Sequence, residues 1–191
     1  MCGYLSALVL RSGEVIQHEA TDSHEDLVEW QNLKDESVVD KKFVRVEYTP
    51  KDFNDLADID KYELRLDENE APGWWDEEMQ SNTERKLKAI AERRIVTEKR
   101  GVLLGGCWVI AGSAQIAKVY SSRVIAVYGS ATIRNVYGSA TIGDVFGSAT
   151  IECVFGSATI GDVYDSATIE CVFGSATIVT DHRKKKTEGG E

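Results

Sequence analysis

The chain has 191 residues, room for one large domain or two small ones, and a 42% hydrophobic content sufficient for a core. Its 32 acidic and 22 basic residues leave a formal net charge of -10. An acidic chain repels a phosphate backbone, which argues against general nucleic-acid binding and suits a partner with a basic surface.

The first hundred residues read as α+β. The opening stretch has no basic lead, and its apolar run stops at Leu10, before Arg11 and Ser12. That is too short to span a membrane and lacks the layout of a signal peptide, so a first strand in a cytoplasmic protein is expected. Leu5, Ala7 and Val9 form one face of it, Ser12-Gly13 signals a turn, and Val15-Ile16 begins a hairpin partner. Ser23 followed by Asp26 marks a helix start leading into Leu27, Trp30 and Leu33. Val44, Val46 and Tyr48, then Tyr62, Leu64 and Leu66, predict a second pair of strands. Thr49-Pro50 and the aspartate-rich stretch to Asp60 predict a loop with one helical turn.

After Pro72-Gly73, Trp75, Met79, Thr83, Leu87 and Ala91 recur every four residues, and Ile90 and Ile95 widen the stripe. Asp76, Glu77 and Glu78 at the start, with Arg93, Arg94, Lys99 and Arg100 at the end, complement the dipole of a long helix. This helix is expected to close a head domain over residues 1–100 and to lead, without a flexible linker, into a repetitive C-terminal region.

From Val127 the chain reads VYGSATIRN, VYGSATIGD, VFGSATIEC, VFGSATIGD, VYDSATIEC, VFGSATIVT, and looser copies extend back towards Gly101. Gapless repetition with so little variation signals a stacked array. Nine residues make two and a half helical turns, so successive copies would face opposite sides of a helix; the Val, aromatic, Thr and Ile content favours strands. The Gly-Ser pair supplies a bend, and alternation in Ser-Ala-Thr-Ile sends alanine and isoleucine inward, serine and threonine outward. The pair after isoleucine alternates between Gly-Asp (143–144, 161–162) and Glu-Cys (152–153, 170–171), so the true period is eighteen residues, two nonapeptides per coil. The expected fold class is therefore an α+β N-terminal domain followed by a parallel β-solenoid over residues 101–180, then a charged tail or cap over 181–191. Four to five coils at strand spacing make a rod of roughly 20 Å.

The eighteen-residue period places Cys153 against Cys171 as candidate stacked thiols, within reach of a disulfide but expected to be reduced and structural. With Cys2 and Cys107 they form no CxxC or zinc-like spacing. Tyr128, Tyr137, Phe146, Phe155, Tyr164 and Phe173 share one repeat position and form a candidate interaction ladder. If the alternation runs back through the glycine, these rings point outward; if the bend resets it, they are buried, an outcome favoured for phenylalanine.

Little else suggests chemistry. His18 and His24 flank a strand end and a helix start and are expected at the surface, and no metal site is expected. Asp76, Glu77 and Glu78 have a structural reason as a helix first turn, and Trp74-Trp75 are read as closing a core or a domain junction. With no GxSxG, phosphate-loop or dinucleotide motif, neither catalysis nor a cofactor is expected.

The nonapeptide array resembles short-repeat β-solenoid proteins, and the layout of a small head with GSATI-type repeats is similar to uncharacterised bacterial and phage proteins. The resemblance covers about 80 residues at motif level and carries no catalytic residue. Calcium-binding β-rolls also use nine-residue units but need GGxGxD, which is missing here. Pentapeptide-repeat proteins, acidic rods that imitate DNA, share only the idea of an acidic rod.

The leading expectation is a non-enzymatic interaction protein presenting a rigid acidic solenoid to a protein partner. A phage or mobile-element inhibitor of a host defence or DNA-handling enzyme is its narrower form. End-to-end self-assembly through an open solenoid end, giving a homo-oligomer, is the alternative. Deleting the charged residues 181–191 would then promote association. Ice binding through outward ladders such as Ser139, Thr141, Ser157 and Thr159 is the third reading.

Overall fold

The computed structural model describes residues 5–183, and the chain divides into two compact units, Met1–Arg94 and Ile95–Glu191. Cys2 and residues 184–191 lie outside the described residues.

In the first unit, β1 (Ser6–Leu10), β2 (Val15–Ile16), β3 (Phe43–Pro50) and β4 (Tyr62–Leu66) form an antiparallel sheet in the order β2-β1-β3-β4. Alternating burial of Val44, Val46, Tyr48 and Pro50 turns one face of β3 to the core. The strand continues through Pro50, beyond the sequence expectation. The register of β1 on β3 stops at Glu47, whereas Pro50 pairs with Tyr62, so its missing N–H costs the β1 ladder nothing. The loop to β4 holds two short 3-10 turns, Phe53–Asp55 and Ile59–Lys61.

Helix α1 (His24–Trp30) starts where Ser23 predicts, with the Ser23 hydroxyl accepting from the Asp26 N–H at 3.2 Å. Its expected apolar stripe reduces to Leu27, fully buried, while Trp30 is 59% exposed and meets the His18 ring edge-on at 5.0 Å. Leu33 lies past the helix end. Steps of three residues rotate off one face by about 60° each, and a helix this short buries only the face under its centre.

Helix α2 (Glu77–Arg94) buries Thr83, Leu87 and Ala91, with Trp75 buried ahead of it. The Asp76 carboxylate accepts from the Met79 N–H at 2.9 Å and caps the helix, so the first acid of the run is structural. The helix ends at Arg94; Ile95 enters a strand, and Lys99 and Arg100 lie outside. Only Arg93 and Arg94 therefore stand in the last turn, and Arg94 is buried, donating to the Gln17 side chain. The β-branched pair Ile95-Val96 takes a parallel ladder with Val109 and Ile110 instead of another helical turn.

The second unit is a parallel β-solenoid of about five coils with an eighteen-residue repeat. One sheet stacks β5 (Ile95–Val96), β7 (Cys107–Ile110), β9 (Arg123–Val127), β11 (Thr141–Val145), β13 (Thr159–Val163) and β15 (Thr177–Asp181). The other stacks β6 (Arg100–Leu104), β8 (Gln115–Tyr120), β10 (Thr132–Tyr137), β12 (Thr150–Val154) and β14 (Thr168–Val172). Each nonapeptide sends three residues inward, as with Ala140, Ile142 and Val145, none more than 2% exposed. A thin interior of one small and two branched side chains per side lets two sheets close on each other with no helix between them. Strict alternation breaks between the inward isoleucine and valine, where two residues intervene instead of one. That break sits at the variable pair.

The corner after each strand is left-handed: Gly147 has φ 69° and Gly156 φ 75°. Asp165 occupies this position in the one regular copy without glycine, at φ 54°, as Ser121 does at φ 44° in a looser copy, and the Asp165 carboxylate accepts from the Gly147 N–H one coil below at 3.1 Å. A short side chain that bonds locally is what tolerates this conformation.

Candidate interaction surface

The aromatic position follows the inward valine and points out of the solenoid. The rings stack on their neighbours one coil away, in two columns. In one, Tyr120, Tyr137, Phe155 and Phe173 lie 4.8, 5.0 and 5.1 Å apart, centroid to centroid, with planes within 14°. In the other, Tyr128 stacks on Phe146 at 4.9 Å and Tyr164 on His182 at 4.5 Å. These separations match the spacing of neighbouring strands, so ladder register alone aligns the rings. Each stacked pair contributes about 0.5–1.5 kcal/mol beyond area burial.

Tyr128, Tyr137, Phe146 and Phe155 are half-buried by this stacking, whereas Tyr164 and Phe173 are 36% and 50% exposed. The alternation thus runs back through the glycine. The phenylalanines favoured for the interior are not there, because alanine, isoleucine and valine already fill it.

The variable pairs make a second set of ladders. On the five-stranded sheet, Asn135, Cys153 and Cys171 are in register, and Cys107, Cys153 and Cys171 are thiols. Burial, and then the neighbouring Cys171, push the Cys153 thiol up from its ordinary value, which makes it a poor nucleophile at neutral pH. On the six-stranded sheet, Asp144 is paired with Asp162, and Asp162 meets His182 at 3.2 Å. Burial, reinforced by Asp162, raises the Asp144 carboxyl above the ordinary range. Threonines also fall in register, Thr141 with Thr159 and Thr177, Thr132 with Thr150 and Thr168.

The negative charge is concentrated in the first unit. Residues 1–94 hold 23 acidic and 13 basic side chains, whereas residues 95–191 hold nine of each. The coils themselves, residues 101–180, are weakly acidic, with five acidic and three basic side chains, and the basic run 183–186 offsets them. A total for the whole chain carries no information about which unit bears it.

The remaining candidates have structural partners in the first unit. His24 is buried, contrary to the surface expectation: Nε2 lies 3.0 Å from the Val46 carbonyl and Nδ1 3.1 Å from Asp67. His18 is exposed and its Nδ1 accepts from the Ala20 N–H at 3.1 Å. Trp74 donates its indole N–H to the Lys41 carbonyl at 2.8 Å, and Trp75 is buried with its ring at 90° to that of Trp74. Among the described residues, no group of three or more His, Cys, Asp or Glu is placed to hold a metal ion, and no helix is long and apolar enough to cross a membrane.

A linked set of ion pairs has no signature in the sequence. Lys41 and Glu68, both nearly buried, pair at 2.6 Å, and Arg45 grips Asp35 with two nitrogens at 2.8 and 2.9 Å while also touching Glu68. Its members are scattered over 34 positions of sequence, with no spacing to announce them. No protein-family model, curated protein or solved structure matches the chain.

Proposed function

We propose that the protein is a non-enzymatic interaction protein whose solenoid presents a repetitive, rigid side surface to a macromolecular partner. The observation that carries this reading is the pair of outward aromatic columns. Stacked rings held by a hydrogen-bonded ladder have little rotamer freedom left to lose on binding, so a partner gains apolar contact at low entropic cost. The half-buried rings offer edges at one-coil intervals, a pattern suited to a partner surface with apolar groups at strand spacing. The coils carry only a small net negative charge, so attraction of basic groups is weaker there than at the first unit. Inhibition of a host defence or DNA-handling enzyme, in a phage or mobile-element setting, is the narrower form of the same reading.

The test is a tagged capture from a lysate of the source organism, with the full chain, a chain ending at residue 126, and the full chain carrying Tyr137→Ser and Phe155→Ser. A stoichiometric protein retained by the full chain alone is expected. Equal retention by all three baits moves recognition to the first unit. Nothing retained by any bait removes the reading.

A further inference from the structure

Strands β12 and β14 have the same sequence, TIECV, and different surroundings. Val154 and Ile151 of β12 are 0% exposed; Val172 of β14 is 41% exposed and Ile169 only partly covered. The sole difference is that β12 carries another coil above it and β14 does not. Beside them, Phe173 is 50% and Val179 69% exposed, and Ala176 and Ile178 are partly covered. Among the described residues, the last coil therefore ends in two unpaired strand edges over an apolar strip. Arg183 covers only one corner, donating to the Ala167 carbonyl at 3.3 Å while paired with Asp181.

We infer that the open end formed by β14 and β15 docks on the same end of a second copy of this chain, giving a two-fold dimer. This goes beyond the side-face reading and stands independently of it. One coil lower, the same residues are covered by a strand, so a strand edge is what this end accepts. Head-to-tail stacking would match β14 to β6, five residues each, but would leave β15 largely unmatched, since the first strand of the six-stranded sheet, β5, spans two residues against its five. A two-fold axis across the solenoid brings like edges together, and the strands then meet antiparallel. Each copy's Arg183 is matched by its own Asp181, so the contact brings no unpaired charge together there. Main-chain hydrogen bonds along two edges supply most of the attraction, with the strip around Val172 and Ile178 excluding water.

The test uses the full chain in sedimentation velocity from micromolar to millimolar concentration. A mass of about 42 kDa, twice the 21.1 kDa of the chain, is expected at the upper end. Val172→Lys with Val179→Lys should weaken the dimer at least tenfold, whereas Val102→Lys, an equally exposed change on β6, should not. Since a double variant can loosen its own coil, amide exchange of the unaltered chain is the second measurement. Protection over residues 168–181 should rise with concentration. A chain that stays at 21.1 kDa throughout, exchange independent of concentration, a dimer indifferent to the double variant, or unlimited filaments would each overturn the inference. None of these outcomes bears on whether the side faces retain a partner from lysate.

Discussion

At Asp144 and Asp162 the solenoid tolerates two carboxylates facing each other on neighbouring strands, a pair that like-charge repulsion destabilises. The folded Asp144 carboxyl titrates above its ordinary value of 3.8, first because it is buried and second because of Asp162. The folded state then binds a proton more readily than the unfolded chain. This contribution favours folding at low pH and is lost as pH rises from the ordinary value through the raised one. Asp144→Asn is accordingly expected to stabilise by about 0.2–1 kcal/mol at pH 7, with the gain vanishing near pH 3, as read from thermal melts. Glu68 is the opposite case, since its loss strands the nearly buried Lys41. Glu68→Ala should cost about 3–5 kcal/mol in urea unfolding, whereas Lys41→Met with Glu68→Leu should be close to neutral.

Among elements, the repeat strands show why a glycine can be indispensable without a left-handed backbone. A Cβ at Gly161 would lie 2.5 Å from the Gly143 carbonyl oxygen, and one at Gly143 2.4 Å from that of Ile125. The same sheet holds Ile125 and Val179 at this position and the other sheet holds Glu152 and Glu170, so the close approach belongs to the two Gly-Asp copies. Gly161→Ala should therefore destabilise by about 1–3 kcal/mol. Gly101→Ala, with nothing within 4 Å of the added atom, should change stability by less than about 0.5 kcal/mol. Thermal unfolding followed by the strand signal in circular dichroism checks both.

The molecule as a whole couples a strongly acidic α+β unit to a weakly charged array whose stability builds up coil by coil. The eighteen-residue period then makes a length prediction. Deleting residues 145–162 removes one whole coil and leaves every remaining pair on its own sheet, with Val179-Thr180 following Gly143-Asp144 as it followed Gly161-Asp162, so a cooperative melt at slightly lower temperature is expected. Deleting residues 146–154 removes half a coil and brings Glu170 to the place of Gly161, where a Cβ would lie 2.5 Å from the Gly143 carbonyl oxygen. That variant should lose more stability although it loses fewer residues, a reversal that calorimetry would detect.

Repetition made the solenoid legible from sequence. A nonapeptide with one inward alanine, isoleucine and valine specifies strand, corner and interior in every copy, and the alternating pair announces the double period. The cap at Ser23 was legible as well, because capping is a bond between near neighbours, while Asp76, expected within the first turn, instead caps the helix from just ahead of it. Trp30 on the surface, the buried His24 and the Lys41–Glu68–Arg45–Asp35 network were not, since each depends on which distant segment arrives beside it. The direction of the aromatic rings also waited on tertiary structure: a single bend decides the face of every later side chain, and only the closed coil shows that the interior has no room for them. By itself the sequence determined the period, the strands and the inward set, because those follow from local alternation. Which equal strands are covered and which left open was decided by their place in the stack, because Val154 and Val172 differ in nothing but the presence of a coil above.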